Sequence, residues 1–248
     1  MLKHQQIQTI LLIGSCSGQT KQRFGAFQRL GYTVDFVHDR PTHQQAGVNE
    51  RHTFLMRVFH KLGYPLDRVG VNKKAVQQAG QKRYHCVWVE KCLMLRPKTL
   101  KAIKRLNPAA LLVSYTADDM FARHNQSRYY LGCLSLYDAV VTTKSYNCHA
   151  QELPALGARY VIFSQKGYDK KAHAPIAVSE DVREKLGADV GFVGTFEQDR
   201  AEKMYYLACQ GIKVRIWGNG WRAFKKIHPN LTVEYRPLYD EDYQNAIA

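Results

Sequence analysis

Two segments of this chain, about 180 residues apart, begin on the same plan: a short apolar run, a glycine directly after it, then a helix-forming stretch. The first is TILLI at 9–13 running into GSCSG at 14–18, and the second is DVGFV at 189–193 running into GTFEQDR at 194–200. A glycine after a buried strand lets backbone approach a ligand, and a following helix start offers unpaired N–H groups to an anion. Two such starts predict two nucleotide-fold domains facing one cleft. The second copy reaches Ala248 before its plan is complete, so a whole first domain and part of a second are expected.

The 248 residues suffice for one large domain or two small ones, each with its own core. Apolar runs such as 109–113 fall far short of the roughly 20 residues that cross a bilayer. The N-terminal MLKHQQIQTILLIGS has one lysine and a strand-length apolar core, which does not suit a signal peptide. Six scattered cysteines (Cys16, Cys86, Cys92, Cys133, Cys148, Cys209) form no CxxC pair. They read as buried thiols of a cytoplasmic protein. Neither His85 with Cys86 and Cys92 nor Cys148 with His149 has the paired spacing of a zinc site, and no metal is expected.

Charge is unevenly spread. Residues 1–110 carry 19 Lys/Arg against 5 Asp/Glu, and residues 111–248 carry 17 against 16. A concentrated positive surface attracts nucleic acid, anionic lipid or an acidic substrate. No nucleic-acid-binding motif accompanies it, so nucleic acid is not an expected partner.

The remaining pattern alternates. Strands are expected at 9–13, 33–37, 85–89, 110–115, 139–143 and 159–163, with helices at 21–30, 97–106 and 126–136. A long insertion to about Arg83 holds two helices. In the first, Phe54, Leu55, Val58, Phe59 and Leu62 share a face, and the second spans 66–78. The polar stretch 166–188 reads as a linker between domains at 1–165 and 189–248. The second domain adds strands at 190–193, 212–217 and 231–234 and helices at 200–209 and 239–248. Short apolar strands separated by helices predict an α/β fold with parallel sheets.

Three segments carry chemistry. SYTADDMFARHNQS at 114–127 follows a strand, where open α/β sheets place their ligands. It collects Asp118, Asp119, Arg123, His124, Asn125 and Ser127; a carboxylate pair near a histidine can supply a general base if burial and like charge raise its pKa. Alternatively, Asp118 caps a helix and the rest is a solvated loop. At 194–200, Gly194, Thr195 and Arg200 suit a diphosphate, through backbone N–H groups, a hydroxyl and a bidentate guanidinium. In WGNGW at 217–221, Trp217 and Gly218 either hold a nucleobase or simply finish a buried strand. Gly14 opens a loop without the full GxGxxG pattern, so NAD is not expected. The Lys98, Lys101, Lys104 and Arg105 stripe reads as a solvated helix face or a ligand surface.

From Val87 onward the sequence resembles the CgeB-like (spore maturation protein) glycosyltransferases of the GT-B superfamily. The resemblance rests on VWVEK (87–91), the 114–127 segment, YDAVVTTKSYN (137–147), ELPALGA (152–158), GYDKKAHAP (167–175), GFVGTFEQDR (191–200) and VRIWGNGW (214–221). It implies two Rossmann-like domains, acceptor on the first and nucleotide sugar on the second, with metal-independent chemistry and the donor as substrate rather than cofactor. It places Gly194, Thr195 and Arg200 on the donor diphosphate, Trp217 and Gly218 near the base, and Asp118, Asp119 and His124 on the acceptor side. Family members continue past the position of Ala248 into a glutamate-bearing helix that grips the donor ribose, so little turnover is expected of this chain alone. The excess of cations favours an anionic acceptor, or docking of the 51–62 segment on the inner membrane face. The alternative is a non-catalytic module that binds a glycan or polyanion.

Overall fold

The structure, a computed structural model, describes residues 7–15, 17–41, 53–171, 173–174 and 176–248. Cys16, Arg51 with the rest of 42–52, and Ala172 and Pro175 of the 166–188 stretch lie outside the described residues. The chain divides into two units, Met1–Gly167 and Tyr168–Ala248.

The first unit is a six-stranded parallel sheet: β1 (Thr9–Gly14), β2 (Thr33–His38), β3 (Cys86–Glu90), β4 (Leu111–Thr116), β5 (Ala139–Thr142) and β6 (Val161–Phe163), in the order β2-β1-β3-β4-β5-β6. Helices α1 (Gly18–Arg29), α2 (Phe54–Lys61), α3 (Val71–Ala79), α4 (Pro97–Leu106) and α5 (Arg128–Cys133) connect them. One face, through Leu11, Ile13, Val87, Val89, Leu112 and Val140, forms the main core with α3, α4 and α5. On the other face Phe27 of α1 meets Trp88 edge-on at 5.3 Å. The near-continuous apolar strands follow from burial on both faces.

Strand and helix positions match the periodicity; the ends move where capping decides. Helix α1 starts at Gly18, three residues before the spacing suggested, after Ser17, which is extended at φ −142° and ψ 158° and makes no side-chain cap. Asp67 accepts Val71 N at 2.7 Å and Asn72 N at 3.1 Å, so α3 starts at Val71 rather than at Leu66. Ser127 caps α5 through Tyr130 N at 2.9 Å, after which a 3-10 turn carries Leu134–Leu136.

The second unit has a parallel sheet of β7 (Val190–Val193), β8 (Val214–Trp217) and β9 (Leu231–Val233) in that order, with α6 (Glu180–Leu186), α7 (Gln198–Cys209) and α8 (Asp240–Ile247). Its core includes Ala201, Ala208, Val214, Ile216, Trp221 and Phe224. Part of the stretch read as a linker belongs to this packing, since Leu186 is buried beside Trp217 and Leu238. Cys86, Cys92 and Cys133 are buried as expected, but Cys148 is half-buried and Cys209, at the end of α7, is exposed.

Candidate functional site

In the first unit the chain steps from β1 out to β2 and back across to β3, so the sheet order reverses between β1 and β3. Parallel sheets bind ligands beyond their carboxyl ends at such a reversal. Gly14 ends β1 there. A Cβ on it would lie 2.8 Å from the Glu90 Cβ at the end of β3, so only glycine fits. Glu90 is itself held by Arg23 and by Trp88 Nε1 at 3.0 Å, and the Arg23 guanidinium lies 3.8 Å from the Tyr115 ring centroid.

Lys91 follows Glu90 with φ 37°, a left-handed backbone that is costly for a side chain. Its Nζ reaches Asp118 Oδ2 at 2.5 Å and Asn125 Oδ1 at 3.2 Å. The sequence flagged the aspartate and the asparagine but not the lysine, whose only signal was its place in VWVEK.

The two neighbouring aspartates do different work. Asp118 is exposed and paired with Lys91. Asp119 turns the other way, accepting Phe121 N at 3.0 Å, Ala122 N at 3.3 Å and Asn147 Nδ2 at 2.9 Å. Burial acts to raise its carboxyl, but those hydrogen bonds and the Lys144 charge outweigh it and hold the pKa below the ordinary value. The raised carboxylate pair expected from the sequence is therefore not formed: Asp119 caps no helix but binds the backbone N–H groups of the turn after it, and it is a weak base. Ser127 is also a structural residue, buried and donating to Leu93 O at 2.7 Å. Asn125 Nδ2 ties back to Asp119 O at 2.9 Å, while Arg123 and His124 are exposed on a 3-10 turn.

Asp39, just past β2, donates its backbone N–H to Gly14 O at 2.9 Å, and its carboxyl is buried with Oδ1 unpaired. Burial pushes its pKa up to about 6, against the partial relief of Arg40. The folded state thus disfavours the ionised form, and stability present below the unfolded pKa is lost as pH rises through 6. We expect this group to remove up to about 3 kcal/mol between pH 4 and pH 7. Urea midpoints of wild type and Asp39→Asn across that range measure it, and parallel curves would refute it.

In the second unit the ends of β7 and β8 are laced together. Gly194 N donates to Trp217 O at 2.8 Å, Trp221 Nε1 to Gly194 O at 2.8 Å, and Phe196 N to Asn219 O at 2.9 Å. Gly194 and Thr195 lead to the first turn of α7, which carries Arg200. Arg200 donates to Thr195 O at 2.9 Å, pairs with Glu197 at 3.2 Å and lies 5.1 Å from the Phe192 ring centroid. Gly218 is buried beneath this lacing. Trp217 is fully buried with Leu186 and Leu238, so its ring completes the strand and is not available to stack on a base. Among the described residues no cluster of three His, Cys, Asp or Glu side chains could hold a metal ion.

No protein-family model matches the sequence, and no curated protein matches it. Solved structures do share its fold. An α-glucosyltransferase complexed with UDP and DNA superposes with TM-score 0.57 at 11% identity, over 94% of this chain and 67% of that one. Staphylococcus aureus MnaA, solved with UDP, gives TM-score 0.52 at 10% identity over 96% of this chain and 70% of its own. The likeness is one of architecture: this chain has a GT-B-like α/β fold with two parallel-sheet units.

Proposed function

We propose that the chain is a nucleotide-sugar-dependent glycosyltransferase, with the donor on its second unit and the acceptor on its first. The observation that carries this is the laced end of β7 and β8, leading into α7, within a fold shared with enzymes solved with UDP. Backbone N–H groups at the start of α7 and the Thr195 hydroxyl face a diphosphate in this reading. Glu197 and Asp199 at the same helix start oppose an anion, so Arg200 must supply the neutralising charge. That division of labour is the metal-independent chemistry of the CgeB-like family, to which the long motifs from Val87 onward support assignment. On the acceptor side, Asp118 is the exposed carboxylate in position to meet a hydroxyl, paired with Lys91 and with His124 on the same loop.

UDP, UDP-sugars and the other nucleoside diphosphates, titrated by calorimetry with and without EDTA, test the reading. At least one is expected to bind regardless of EDTA, and Arg200→Ala to weaken it roughly tenfold or more, the loss of a charge-assisted bond. Absence of binding by every nucleotide would remove the donor site.

One observation favours a second reading. The first unit holds 24 Lys/Arg against 9 Asp/Glu, while the second holds 12 of each. A non-catalytic module that binds a polyanion would need only that surface; it predicts no nucleotide binding at all. The DNA of the α-glucosyltransferase complex belongs to that enzyme.

A further inference from the structure

Helix α2 leaves much of its apolar side exposed, with Val58 and Phe59 half-buried. At 3.6 residues per turn, Phe54, Val58, Leu62, Leu55 and Phe59 form one continuous arc, flanked at its Phe54 edge by Lys61 and then Arg57, with His60 opposite. Such an arc usually packs on a core. Here no residue of α2 is buried, and Phe54, Leu55 and Leu62 are 77, 58 and 59% exposed. The segment is nonetheless tied to the fold. Thr53 caps the helix by accepting Met56 N at 3.3 Å, and Arg128 N donates to Gly63 O at 2.8 Å. Tyr64 meets Tyr129 edge-on at 5.4 Å. These contacts anchor α2 to the start of α5, directly after the loop carrying Asp118 and His124.

The charge along this segment has one sign. No acid occurs from residue 53 to residue 66, and the whole excess of the chain, +15, lies in this unit. A second copy of the chain would bring cation against cation. A nucleic acid would meet the cations but leave the phenylalanine and leucines in water. An anionic bilayer satisfies both, with headgroups for the cations and the acyl boundary for the apolar arc. We propose that α2 docks this unit on an anionic lipid surface, with Phe54, Leu55 and Leu62 inserted and Arg57 and Lys61 reaching back to the headgroups. At eight residues α2 is far too short to cross a bilayer, so this contact lies at the surface. The proposal holds whether or not the chain transfers a sugar.

Flotation of the full chain with phosphatidylcholine vesicles, with and without phosphatidylglycerol, tests it. Binding is expected with the anionic vesicles alone and should weaken as salt rises. Phe54→Glu/Leu62→Glu should weaken it at least about tenfold, and Arg57→Gln/Lys61→Gln roughly twentyfold, with circular dichroism unchanged. Equal flotation with both vesicle types would overturn the proposal, as would wild-type flotation by either variant. A dimer that only the Phe54→Glu/Leu62→Glu change dissociates, without effect on flotation, would assign the face to a second copy instead. Duplex DNA binding that both variants weaken, with no flotation, would assign it to nucleic acid.

Discussion

Gly218→Ala is expected to dismantle the laced end of the second sheet and to abolish nucleotide binding. A Cβ at this position would lie 1.8 Å from the Gly194 carbonyl oxygen and 2.6 Å from its carbon. Both are backbone atoms, so no side chain can swing aside. Gly194 cannot retreat cheaply either, because its oxygen accepts Trp221 Nε1 and its nitrogen donates to Trp217 O. Overpacking and two broken buried hydrogen bonds together cost about 4 kcal/mol or more. Tryptophan fluorescence reads the change, since Trp217 and Trp221 are both buried in this unit. Asn219→Ala next door, exposed, is expected to stay within about 0.5 kcal/mol of wild type. A Gly218→Ala protein with wild-type stability and undiminished UDP affinity would refute both the packing account and the donor site.

That lacing shows what the sequence disclosed and what it withheld. The strands were legible because apolar β-branched runs ending in glycine have few other uses. The partner that makes each glycine necessary was not, since Gly218 is crowded by Gly194 from another strand and Gly14 by Glu90 from β3. Trp217 left two readings open on spacing, and only its burial decides for the strand. The α2 arc was visible as helical periodicity, which says which face is apolar but not whether anything covers it. Asp118 and Asp119, adjacent in sequence, suggested a shared environment with raised pKa. Consecutive residues on a turn point apart: one reaches Lys91, the other Asn147. Lys91 itself was hidden, because a left-handed backbone at a lysine leaves no trace in composition or spacing.

Asn147 is the residue on which the loop carrying Asp118 turns. It is fully buried on the 3-10 turn Ser145–Cys148, and its amide joins four groups. Its Nδ2 donates to Asp119 Oδ1 at 2.9 Å and Glu152 Oε2 at 3.1 Å. Its Oδ1 accepts Met120 N at 3.3 Å and Thr142 Oγ1 at 3.4 Å. Asn147→Ala would strand the buried Met120 amide and Thr142 hydroxyl, at about 1–3 kcal/mol each, for a total near 4 kcal/mol. The loop carrying Asp118 would lose its tether, yet the proposed donor site lies in the other unit. Chemical denaturation should therefore fall sharply while UDP affinity stays within about twofold, in keeping with independent sites. Asn147→Asp separates charge from packing. It keeps the shape but sets a buried third carboxylate against Asp119 and Glu152, so its penalty should shrink as pH falls from 7 toward 4 and the introduced carboxyl protonates. A penalty independent of pH would show that Asn147 acts by shape alone, and an Asn147→Ala protein as stable as wild type would remove it as the tether.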